Sequence, residues 1–330
     1  MKRPTSNKKT VLSSIMFLTL AANILALGAL LTWLYRTNFW IVVAGFMIVV
    51  LGYFWKTMFE RLWVDPPSAE TDAEEAVLPT RTKPALKKLP HAYGPFATVG
   101  LVVALFILAQ LIVIFIALPM MMLVSGSEKF YDSAWGQFSF VLLIEVVTMY
   151  LLWQVMKWRK ITFRQLGWNM PRLKYVGYAL LGFASYFLLY IMTISFIRIL
   201  IPSLDLEQQQ EIGFDKSVGG VELLPVFISL VILPPLVEEI VARGFLYTNL
   251  RAHTTVLMAS FVTSVLFAAA HLSGAAEGLL WVAAIDTFIL SLVMCYLRER
   301  SGSLWPPIGV HFIKNGVAFF ILFNIAGRFR

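Results

Sequence analysis

Two adjacent carboxylates and an arginine, Glu238-Glu239 with Arg243, lie inside the apolar run Leu233–Phe245. Charged side chains in such a run are costly to bury, so each calls for a partner or a task. On a helix, Glu239 and Arg243 are four residues apart and share a face, which lets them pair, while Glu238 points about 100° away and is left for other work. Pro234 and Pro235 lack the amide N–H and should break the segment just before the dyad. The glutamates would then open a new helix, where the macrodipole favours negative charge. A second cluster, Phe267-Ala268-Ala269-Ala270-His271, ends the following apolar run, and its small residues permit close helix packing. In a third, His311 and Asn315 are four apart and face the same way.

Taken singly, each cluster has a plain reading: an interfacial Glu/Arg group, or a histidine satisfied in the interior. Together they are harder to dismiss, because two of the chain's four histidines fall in them. A free glutamate can act as general base toward water, a histidine can share the proton, and a His/Asn pair can donate hydrogen bonds to a developing oxyanion. Those are the parts needed to hydrolyse a peptide bond. No Ser or Cys stands in a recognised nucleophile setting, and neither HExxH nor GxxxxGK[ST] occurs. Glu238, His271 and His311 are also chemically able to hold zinc as three ligands around an open position.

The elements that must position these residues are membrane helices. Of the 330 residues 59% are hydrophobic and 14% charged, against about 25% charged in soluble domains, and the mean hydropathy is +0.76. The apolar residues gather into runs of about 18 or more, long enough to span a hydrocarbon core of about 30 Å. Runs such as Val99–Leu123, with Gln110 its only strongly polar member, are apolar on every face, which excludes the alternation of a transmembrane β-barrel. The fold class is an all-α, polytopic transmembrane bundle of about 8–9 membrane helices. The net charge of +8 sits at the ends of apolar runs, so it reports topology and not a nucleic-acid partner. The single cysteine, Cys295, excludes an intramolecular disulfide and reads as a small buried hydrophobe.

Along the chain, residues 1–59 form a two-helix transmembrane hairpin with spans at about 11–35 and 39–59. Residues 60–95, charged and rich in proline, read as a cytoplasmic linker. A helical membrane domain occupies 96–330, with spans at about 96–123, 138–156, 175–201, 222–250, 255–273, 277–298 and 307–326. Lys/Arg placement puts the amino terminus, the linker and the 157–174 loop on the cytoplasmic side. Nine full crossings would carry Arg328 and Arg330 outside, against that rule, so the last segments need not all cross. Glu145 and Asp286 lie inside spans without a motif; each could line a cavity, pair with a basic residue, or mark a misplaced span.

The three clusters resemble the CPBP group of intramembrane proteases, which includes the CAAX prenyl endopeptidases and the Abi or bacteriocin-immunity proteins. That family's pattern is EExxxR, then FxxxH, then HxxxN, matched in order by Glu238-Glu239 with Arg243, Phe267 with His271, and His311 with Asn315. ARGFLYTNLR, SVLFAAAHL, RERSGSLWPPIGVHFIKN and the loop Phe163–Gly167 also fit. The resemblance covers about 140–326. Ala242 departs from it, standing where the family often has a bulky apolar residue.

The resemblance implies an integral-membrane endopeptidase acting on a membrane-associated or lipid-modified peptide or protein, prenylated or not, in the cell membrane. Glu238 would activate water with help from His271, His311 and Asn315 would form the oxyanion hole, and Glu239, Arg243 and Phe267 would support the site. It leaves glutamate and metal chemistry both open, with no cofactor required in the first case and a divalent metal such as zinc in the second. A non-catalytic membrane binding or immunity protein of the same fold is the competing function.

Overall fold

The computed structural model describes Leu89 and residues 92–117, 119–120, 133–206, 208, 213–214, 218–272 and 279–325. Every regular element among them is helical. The chain divides into two compact units, Met1–Val64 with Ile191–Leu204, and Asp65–Tyr190 with Asp205–Arg330. Of the first, the described part is the end of one helix and the turn that follows. The second carries every residue of the three clusters.

Helix α1 (Pro95–Ile112) starts with proline in its first turn, where the missing N–H leaves no helical bond unmade, and continues through a wider π-type turn, Val113–Ala117. Helix α2 (Ala134–Trp158) is capped by the Ser133 hydroxyl, which accepts from the Gly136 N–H at 3.1 Å. Helix α3 is Lys174–Leu200. Helix α4 runs over Gly220–Arg251 and is not uniform: π-type turns at Ile228–Ile232 and Ile240–Leu246 separate its α-helical stretches. Helices α5 (Val256–Ala269), α6 (Trp281–Ser301) and α7 (Trp305–Phe320, widened over Ile321–Ile325) complete the described chain. Thr255 caps α5, and Gly302, at φ +65°, ends α6 in the left-handed conformation open to glycine.

Six of these helices, all but α5, are long and apolar enough to cross a membrane. The expected span at 255–273 shrinks to α5, whose 14 residues reach only about 21 Å at about 1.5 Å per residue. The expected spans at 11–35 and 39–59 and nearly all of the linker lie outside the described residues. Large apolar side chains such as Phe106, Phe115, Leu181 and Phe187 face outward, as they do where lipid is the solvent.

The expectation for the prolines needs correcting. Pro234 and Pro235 occupy the first turn of the stretch Leu233–Glu239, but the backbone on both sides stays right-handed helical, so no separate helix begins there. The backbone widens over Ile228–Ile232, just before the prolines. Glu238 and Glu239 consequently close the stretch and do not open it, and the macrodipole is not what holds their charge.

Helix α4 is central, packed by α1, α2, α5, α6 and α7. On one side Leu152, Met156, Leu166, Phe245 and Ile308 form an apolar core; on the other Ala179, Ala242, Phe267, Leu290, Met294 and Val310 form a second. Ala242 is thus buried among mostly larger neighbours. Arg298, near the end of α6, is fully buried and clamps the chain. Its Nη2 donates to the Leu166 carbonyl at 2.8 Å and the Thr248 hydroxyl at 3.3 Å, and its Nε to the Arg243 carbonyl at 3.3 Å. Gly167, at φ +93°, lies against that guanidinium, and a Cβ there would stand 2.6 Å from Cζ.

Helices α3 and α7 approach closely at Gly309, where a Cβ would fall 2.7 Å from the Ala179 Cβ. Gly309→Ala should therefore destabilise the fold by about 1–3 kcal/mol through overpacking. Adding Ala179→Gly should recover most of the loss in thermal unfolding in detergent.

Candidate active site

The site grows from the last turn of the stretch Leu233–Glu239. Arg243 Nη1 donates to Glu239 Oε1 at 2.8 Å, and both side chains are sealed from solvent. The Arg243 guanidinium also lies 4.3 Å from the centre of the Phe267 ring, a cation–π contact strengthened by the lack of water. A buried ion pair repays its desolvation only when further hydrogen bonds support it. Here the support comes from α7, whose His311 Nδ1 is 3.0 Å from the same Glu239 Oε1. A carboxylate paired with arginine can only accept, so Nδ1 carries the hydrogen and donates it.

That bond orients the rest of the His311 ring. Its Nε2 stands 4.0 Å from Oε2 of Glu238, beyond direct hydrogen bonding. The Glu238 side chain is 33% exposed where that of Glu239 is 0% exposed, but its Oε2 is itself buried and among the described residues has no hydrogen-bond partner. Two neighbours in sequence thus differ in exposure, as the 100° step between them allows.

Phe267 connects the remaining cluster. Its ring lies 4.8 Å from that of His271 and meets His311 edge-on at 5.9 Å. His271 Nδ1 is 2.8 Å from the Phe267 carbonyl; because a carbonyl only accepts, Nδ1 carries the hydrogen, and in the neutral ring the lone pair is on Nε2. Asn315 turns elsewhere, its Nδ2 donating to the Leu230 carbonyl at 2.9 Å. The structure therefore gathers Glu238, Glu239, Arg243 and His311 directly, joins His271 to them through Phe267, and bonds Asn315 to the backbone of α4.

For a metal, Glu238, His271 and His311 were the expected donors. Among the described residues no three His, Cys, Asp or Glu side chains come together as a group able to hold an ion, so that ligand set is not assembled in this arrangement. Of the two unassigned carboxylates, Asp286 pairs with a basic residue, Lys314 Nζ at 3.2 Å, and accepts from the Tyr186 hydroxyl, joining α6, α7 and α3. Glu145 on α2 lies within electrostatic reach of Glu238. The Arg298 clamp was not anticipated, since an arginine near the end of an apolar helix reads as an ordinary basic flank.

The three clusters share one short region. Residues 220–317 match the family model of type II CAAX prenyl endopeptidase Rce1-like proteins. The resemblance to the CPBP intramembrane proteases stands over that segment, less than a third of the chain, and all three motifs lie within it. No curated protein and no solved structure matches the chain. With the apolar helices, the match supports an integral membrane protein with the character of a CAAX-type protease.

Arg243→Met should cost about 3–5 kcal/mol, because it leaves the buried Glu239 charge with His311 alone. Coupling it with Glu239→Gln should return part of that stability, as read from unfolding midpoints in detergent.

Proposed function

We propose that the protein is an integral-membrane endopeptidase that hydrolyses a peptide bond in a membrane-associated or lipid-modified peptide or protein, using water activated by Glu238. The observation that carries this reading is the 4.0 Å gap between Glu238 Oε2 and His311 Nε2. Once a small side-chain shift opens the buried Oε2, a water about 2.8 Å from each acceptor would subtend an angle near 90°, close to its own bond angle. Both its hydrogens are then engaged and its lone pairs point away from the two side chains.

In this scheme Glu238 takes a proton from the water as the oxygen bonds to the substrate carbonyl carbon, and the carbonyl electron pair moves onto its oxygen. The resemblance assigns His311 and Asn315 to that oxyanion. The geometry favours His311 on the water, leaving the second N–H of Asn315 as a donor for the oxyanion. When the C–N bond breaks, the leaving amine takes the proton held by Glu238, and the Nε2 lone pair of His271 offers a relay. Arg243, Glu239 and Phe267 hold this frame. No cofactor is required, and the partners are the peptide substrate, prenylated or not, and the lipid bilayer. The basic loops favour the cytoplasmic membrane with the amino terminus inside.

Cleavage of a membrane-anchored reporter library in liposomes tests the proposal. Glu238→Gln should lower the rate at least about 100-fold with an unchanged unfolding midpoint, and the wild-type rate should survive a chelator. Undiminished cleavage by folded Glu238→Gln would overturn the assignment.

A further inference from the structure

The Leu230 carbonyl belongs to the π-type turn Ile228–Ile232. In an α-helix its donor is the N–H of residue 234, and in a π-helix that of residue 235. Both positions are proline, so each helical geometry leaves this carbonyl without a backbone donor. A carbonyl stranded in an apolar helix needs a partner from elsewhere. The partner is Asn315 Nδ2 at 2.9 Å, 85 residues away in sequence.

The bond has a second consequence because of where Asn315 stands. One turn earlier on the same face of α7, His311 holds Glu239 at 3.0 Å. Helix α7 thus grips α4 at two points on either side of the proline pair, one on a side chain and one on the backbone. Two attachments fix both the height and the rotation of the intervening stretch, which ends in Glu238 and Glu239.

We propose that Asn315 has a positioning role besides its second N–H: its amide supplies the hydrogen bond that Pro234 and Pro235 withhold from Leu230, and this bond, together with His311–Glu239, sets the place of Glu238 opposite His311. The proposal rests on the reading of Glu238 as general base and adds the reason for a double proline four residues before it. It also settles the rotamer of the amide, since Nδ2 must face Leu230.

The test uses the full-length chain in detergent as wild type, Asn315→Ala, Pro234→Ala/Pro235→Ala, and the triple variant. Asn315→Ala should lower the wild-type unfolding midpoint by roughly 2–4 °C. In the background where alanines return the backbone donors, the same change should cost less than about half as much. Equal losses in both backgrounds would overturn the replacement of one donor by the other. Asn315→Leu, of similar size but without any polar group, should behave as Asn315→Ala.

The positioning role is read separately by the nitrogen-15 signal of the His311 Nδ1–H, assigned through its loss in His311→Asn. Removing Asn315 should shift or broaden it as the grip on Glu239 alters. An unchanged His311 signal in a folded Asn315→Ala protein would reduce Asn315 to a plug for Leu230 and overturn the positioning role. Neither readout depends on cleavage, so each stands or falls independently of the peptidase reading.

Discussion

The carboxylate of Glu239 is closed to water, and the surrounding helices are arranged to hold its charge. Arg243, one turn along α4, supplies the countercharge at 2.8 Å, and His311 from α7 supplies a second donor at 3.0 Å. Phe267 from α5 covers the guanidinium and touches both histidines. One buried negative charge thus specifies where three helices meet. Because an uncompensated charge at this position is so costly, alternative packings that pull any of these side chains away are strongly disfavoured.

Glu238 depends on that arrangement without sharing in it. Its neighbour takes the arginine, and the helical step turns it toward a partly open space. In the neutral ring, the bond from His311 to Glu239 selects the tautomer that leaves Nε2 bare toward Glu238, a second-order effect of the same kind that a carboxylate exerts on histidine in many hydrolytic sites. The two carboxylates are chemically identical, and their environments alone tell them apart.

Much of this was legible in the residues. The four-residue spacing of Glu239 and Arg243 named the ion pair, and the adjacent position of Glu238 named the carboxylate left over. The all-helical membrane class followed from apolar runs that a folded soluble chain would not carry. What could not be read were contacts between helices: His311 with Glu239 joins residues 72 apart, and Arg298 with Leu166 joins residues 132 apart through a backbone carbonyl that looks the same at every position. The proline pair misled in an instructive way. Two missing donors imply a break only if nothing else can satisfy the stranded carbonyl, and an asparagine on another helix does so.

The shortness of α5 bears on the supply of water that the proposed peptidase reaction would need. Each bond a peptidase hydrolyses consumes one water molecule, and hydrocarbon holds almost none. A helix of about 21 Å falls some 9 Å short of a core about 30 Å thick, and that mismatch is relieved by local thinning of the bilayer or by polar groups reaching inward at the helix ends. His271 lies two residues beyond the carboxyl end of α5. The apolar surface of α5 therefore ends beside this ring.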